Sequence, residues 1–219
     1  QTPTLAMLVE RAGQISNFQK EKYFNVELDC DGIPAVKPKI FDPDEAEQLR
    51  SRCHGNEAIV TAVKETEKKV KAPKLYDLTT LQREANRIYG MTAKQTLDTA
   101  QSLYEKKLIT YPRTDSQYLT EDMEQTARNV VRQIYEKYQL TGPFDQPEQP
   151  DVKKVMNNSK VTDHHAIIPT MELASSHLDE LKSWEEKILF LIAVHTVMAM
   201  SKDHIYQETE IEVECQGEI

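Results

Sequence analysis

The sequence predicts an α+β protein in which a strand-rich domain is split by an inserted, mostly helical one. Three observations carry this. Phe24, Val26, Leu28 and Cys30 alternate with polar neighbours at the two-residue period of a half-buried strand. Ile211, Val213 and Cys215 repeat that pattern near the other end, so we expect both segments in one sheet. Between 73 and 203 the apolar spacing changes to the three-to-four-residue period of helices. A chain of 219 residues can build a core in each of two modest domains.

The elements follow in order. Residues 4–15 read as a helix with Leu5, Leu8, Val9 and Ala12 on one side. The strand at 22–30 is taken to end at Asp31-Gly32. A short helix starts behind Asp42 with Pro43 at its first position. A second strand covers 58–72. It leads into Lys64, Lys68, Lys69, Lys71 and Lys74, either a solvated rim or a local grip on phosphates. In "TTLQREANRIYG", Leu81, Ala85 and Ile88 share a face and Gly90 supplies the left-handed terminator. Thr92 and Gln95 form a capping box for the next helix, which buries Leu97, Ala100 and Tyr104. The two helices make a helix-turn-helix shape, which is more often a packing unit than a DNA reader. A helix at 120–139 begins behind Thr120 and carries the stripe Met123, Ala127, Val130, Val131, Ile134 and Tyr138. Residues 141–150 read as a loop. A long helix starts at Ser183 with Glu186 as capping partner, its face holding Trp184, Ile188, Leu191, Ile192 and His195.

Composition removes several function classes. No apolar run approaches the ~20 residues that cross a bilayer, and no secretory leader is recognisable. Three dispersed cysteines argue against a disulfide framework and a C-x-x-C zinc site, and fit a reducing compartment. The net charge of −9 is the wrong sign for a free-standing DNA-binding domain. Any DNA contact therefore needs local positive charge or further parts. The opening Gln1, and a strand pattern still running at Glu218 and Ile219, lead us to expect a piece of a longer protein.

The segment "LITYPRTDSQYL" raises the chemical question, since a core strand needs neither Arg113 nor Asp115. A phenol with an unperturbed pKa of ~10 becomes a nucleophile toward phosphodiesters when cations surround it. In an extended segment Arg113, two positions on, points to the same side as Tyr111, and its planar fork suits phosphate. Thr114, Asp115 and Ser116 can add hydrogen bonds or cap the next element. His164 and His165, an adjacent pair, can move protons beside a phosphate. On these residues alone a plain packing role for Tyr111 stays open.

Four ordered stretches resemble one family. "LITYPRTDS" is similar to the active-site motif of type IA DNA topoisomerases, and "QTPTLAMLVER" to the segment leaving that family's fourth domain. The run from Leu75 to Arg113 resembles the family's approach to its active-site tyrosine. "DHHAIIPT" resembles its histidine motif in the form of the bacterial topoisomerase III branch. The resemblance implies an arch-shaped enzyme that cuts one DNA strand, keeps the 5′ phosphate on tyrosine, passes a strand and reseals. It implies Tyr111 as nucleophile, with Arg113 and His164 at the phosphate. Gln1, Thr79, Thr80, Gln82, Thr114, Asp115, Ser116 and His165 would lie along the DNA, chiefly single-stranded. It implies residues 1–15 as a remnant of the fourth domain, 16–72 with 204–219 as the strand-rich second, and 73–203 as the helical third. Mg2+ would be held by acids of a Toprim domain that this sequence does not contain, so no metal ligand is expected here. The chain by itself would be monomeric and inactive, the enzyme cytoplasmic and nucleoid-associated. The alternative is a non-catalytic nucleic-acid-binding module built on the helix-turn-helix.

Overall fold

Asp31 and Gly32 both take positive φ, 53° and 89°, and this turns the chain straight back on itself. Strand β1 (Phe24–Cys30) therefore pairs antiparallel with β2 (Ile33–Ile40), Cys30 opposite Ile33 and Leu28 opposite Ala35. β2 was not expected, and β1 does not pair with the terminal strand as the alternation suggested. That strand, β4 (His204–Glu214), pairs instead with β3 (Ile59–Val70), making two separate two-stranded sheets. The computed structural model describes residues 2–140 and 150–218. The expected loop at 141–150 and the terminal Gln1 thus fall, apart from Pro150, outside the described residues.

The chain divides into two compact units, one of residues 1–67 and 207–219, the other of 68–206. In the first, α1 (Thr2–Ser16) buries no side chain, and Leu5, Leu8 and Val9 are exposed. The Asp42 carboxylate accepts the Asp44 N–H at 2.9 Å and Pro43 opens α2 (Pro43–Cys53), as the sequence predicts. Ala46, Leu49 and Cys53 of α2 pack with Val26, Ile40 and Cys215 as the core of this unit. Thr61 donates to the Glu212 carbonyl and Gln207 to Glu65, so β3 and β4 run antiparallel.

Among its described residues the second unit is built on four α-helices. α3 (Leu78–Tyr89) ends at Gly90 with φ 68°, and α4 (Ala93–Glu105) begins behind the Thr92–Gln95 capping box. α5 (Glu124–Tyr138) follows a 3-10 turn, Glu121–Met123. The Thr120 side chain makes no cap; the first free N–H, that of Glu121, goes instead to the Asn158 Oδ1 at 2.9 Å. α6 (Ser183–Ala199) is capped by Glu185, not Glu186: its carboxylate accepts the Lys182 N–H at 2.9 Å. Leu81, Ala85, Ala100, Leu103, Val130, Ile134, Ile188 and Ile192 meet in one core. Chain entry and exit are clasped by Asp203, which accepts the Ala72 N–H at 3.1 Å, Lys154 at 2.9 Å and Lys69 at 3.2 Å. Those three donors hold the Asp203 carboxyl well below the usual carboxylate range. Among the described residues no helix is long and apolar enough to cross a membrane.

Candidate active site

The segment 108–119 forms no regular strand. After α4, Leu108 and Ile109 are buried, and the chain then bends at Pro112 and Arg113. What fixes it is a second segment, 164–170, laid alongside. The Thr110 N–H donates to the Ile168 carbonyl and the Thr170 N–H to the Leu108 carbonyl, each at 3.0 Å. The Thr110 hydroxyl donates to the Ala166 carbonyl at 2.9 Å and accepts the Ile168 N–H at 3.0 Å. A third segment joins them: the Ile167 N–H donates to the Tyr76 carbonyl at 2.8 Å, the Leu78 N–H to the Thr114 carbonyl at 3.0 Å. Main-chain groups of buried loops need such partners, and here the motif's small polar residues supply many of them.

Thr114 and Ser116 belong to that frame. The Thr114 hydroxyl donates to the His164 carbonyl at 3.0 Å and accepts the Ser116 N–H at 3.1 Å. The Ser116 hydroxyl lies 2.8 Å from the Lys160 carbonyl and 3.3 Å from that of Tyr118. Both side chains are buried, so they hold the loop while Asp115 between them faces solvent.

Tyr111 is half-buried, its ring tilted against that of His164 with centroids 4.3 Å apart. Tyr104 of α4 meets it edge-on at 5.4 Å. Tyr104 was read as a core residue, yet it is 40% exposed and walls the tyrosine; no local pattern announces a contact made by packing across a bend. His164 is exposed, and so is Arg113, which has no ion pair among the described residues. The bend at 112–113 removes the strand argument for placing Arg113 on the same side as Tyr111.

The remaining candidates sit apart from this pair of rings. The His165 Nδ1 carries the proton, since it donates to the Ala166 carbonyl at 2.9 Å. Thr80 completes a capping box with Asp77, its N–H donating to Oδ1 at 2.7 Å. Gln82 donates to the Ala93 carbonyl at 3.0 Å and ties α3 to α4. Thr79 is exposed. Behind the site, His195 stacks on Tyr76 at 3.7 Å and donates from Nε2 to the Lys74 carbonyl at 2.7 Å. Burial pushes the His195 imidazole down, against the opposing pull of that carbonyl.

The family model described as DNA topoisomerase matches residues 1–219. The chain belongs to the DNA topoisomerase family. It is 36% identical over 233 residues to DNA topoisomerase 3 of Bacillus licheniformis, covering all of this chain and 31% of that protein. The Bacillus subtilis DNA topoisomerase 3 is likewise 36% identical, over 228 residues and 31% of its length. Among solved structures, full-length topoisomerase I from Thermotoga maritima superposes with a TM-score of 0.73 at 28% identity, covering 98% of this chain and 35% of that one. This chain thus spans about a third of the topoisomerases it matches.

Proposed function

We propose that the chain is the tyrosine-bearing portion of a type IA topoisomerase of the topoisomerase III branch, acting on single-stranded DNA. One observation carries the reading: the rings of Tyr111 and His164, from motifs far apart in sequence, stand 4.3 Å apart. A module that only binds DNA does not need that pairing.

The Tyr111 oxygen attacks the phosphorus of a DNA phosphodiester. The bond from phosphorus to the 3′ oxygen breaks, and a 5′-phosphotyrosine bond forms. The phenolic proton ends on the departing 3′ oxygen, and the reverse reaction reseals the strand. His164, beside the phenol, relays that proton. Arg113, without an ion pair among the described residues, supplies charge-assisted hydrogen bonds to the non-bridging oxygens. Magnesium implied by the family finds no fit here: among the described residues no three His, Cys, Asp or Glu side chains group to hold an ion. We assign it to parts of the whole enzyme outside this chain. On this reading residues 1–15 belong to a neighbouring domain, the chain alone is a monomer, and the whole enzyme works in the cytoplasm at the nucleoid.

The test is a chimera in which this chain replaces its counterpart in the Bacillus subtilis relative. Incubated with a 3′-labelled single-stranded oligonucleotide and denatured, it should carry the label covalently, and Tyr111→Phe should abolish the adduct. Label retained by the phenylalanine variant would refute the assignment. The isolated chain should not relax supercoiled DNA even with magnesium, because electrostatic stabilisers of the transition state are absent. Relaxation by it would refute the division of labour.

A further inference from the structure

A second cluster beside the Tyr111 frame takes no part in that chemistry. The Lys160 ammonium stands 4.9 Å from the centroid of the Tyr118 ring and 3.5 Å from its hydroxyl. The Lys74 ammonium approaches the same ring at 5.5 Å. Neither lysine has a carboxylate partner among the described residues. Burial pushes the Tyr118 phenol up, but Lys74 and Lys160 outweigh it and hold the phenol below its ordinary value. Two cations share one ring, and no described acid pairs with either.

The backbone carrying all three residues is pinned. The Tyr118 carbonyl accepts the Ala166 N–H at 2.9 Å, placing it beside the segment that carries His164. The Lys160 carbonyl accepts the Ser116 hydroxyl, and the Lys74 carbonyl accepts His195. Lys74 also lines a cleft of about 270 Å³ with Thr80, Arg83 and Gln117. Glu84, the one acid of that cleft, is engaged by Arg87 at 2.8 Å, leaving Arg83 without an ion pair among the described residues.

We propose that Tyr118, Lys74 and Lys160 form an anion site that holds a phosphodiester of single-stranded DNA other than the one Tyr111 attacks. The phenol donates its O–H to a non-bridging oxygen, and the two ammonium groups supply charge-assisted hydrogen bonds from either side. A strand is favoured over free phosphate because the site is open and continues through Lys74 into a cleft with a further unpaired cation, Arg83. The inference rests on the reading that the chain handles DNA.

Fluorescence anisotropy of labelled dT12 against the 219-residue chain, over a series of salt concentrations, tests it. The double variant Lys74→Gln/Lys160→Gln, with its fold checked by circular dichroism, should bind about fivefold or more weakly. The slope of log affinity against log salt should fall by about 0.7, the share of one phosphate on a single strand. An unchanged affinity and slope beside a weakened Arg113→Gln variant would overturn this site and leave the Tyr111 reading standing. A wild type that binds no dT12 would overturn both. A wild type that holds inorganic phosphate as tightly as dT12 at matched ionic strength, by titration calorimetry, with both lost in the double variant, would overturn the assignment to a strand.

Discussion

Glu185 is 3% exposed at the start of α6, and replacing it with glutamine separates charge from shape. Burial pushes its carboxyl up, but the Lys106 ammonium, the Ser102 hydroxyl and the Lys182 N–H outweigh this and bring it down to about 2. Against its ordinary 4.5 this is roughly 3 kcal/mol of stability at ~1.4 kcal/mol per pH unit. The Lys106 side chain is 39% exposed, so solvent screens part of the attraction and about 2 kcal/mol remains. Glu185→Gln keeps the volume and should lose that amount at neutral pH. Urea unfolding followed by the fluorescence of Trp184, the single tryptophan and the residue next to Glu185, measures it. A depressed folded-state value means the contribution is full above the unfolded value and disappears as pH falls from about 4.5 toward about 2. The gap between wild type and variant should close over that window. A gap of the same size at pH 7 and near pH ~2.5, or none at pH 7, would refute the electrostatic account.

Gly90→Ala places a Cβ in open space but at φ 68°, so only backbone strain acts; a loss of about 1–2 kcal/mol and a lower melting temperature are expected. A neutral result would show that the α3–α4 turn relaxes. Thr114→Val leaves the buried Ser116 N–H and the His164 carbonyl without their partner, a loss of about 1–3 kcal/mol by urea unfolding. In the chimera it should also slow adduct formation while Thr114→Ser restores it; equal rates for all three would refute the link between this hydroxyl and His164.

Helix boundaries were legible where a cap is spelled locally. Thr92 with Gln95, Asp42 with Pro43, and Gly90 all do what their positions require. Sheet partners were not. The segment after Asp31-Gly32 carries Pro34 and Pro38, residues depleted in strands, although an edge strand of a two-stranded hairpin accommodates them. The same dipeptide, read as a stop, is the sequence signature of a tight hairpin. Glu185 escaped notice because α6 is apolar on most sides, so nothing in its pattern marks which glutamate turns inward. The meeting of Tyr111 with His164 is a tertiary contact between bent segments. Local periodicity cannot encode it, and only the resemblance of two separated motifs to one family pointed there.

The Asp203 clasp gives the helical unit an unusual independence. Seen as topology, residues between Ala72 and Asp203 form one closed loop, its two ends joined within hydrogen-bonding distance at 3.1 Å. Closing a loop becomes harder only with the logarithm of its length, so doubling its contents adds about 0.6 kcal/mol. The clasp is thus almost indifferent to the length of chain it closes. Insertions in its outer loops should therefore leave the Ala72–Asp203 contact in place.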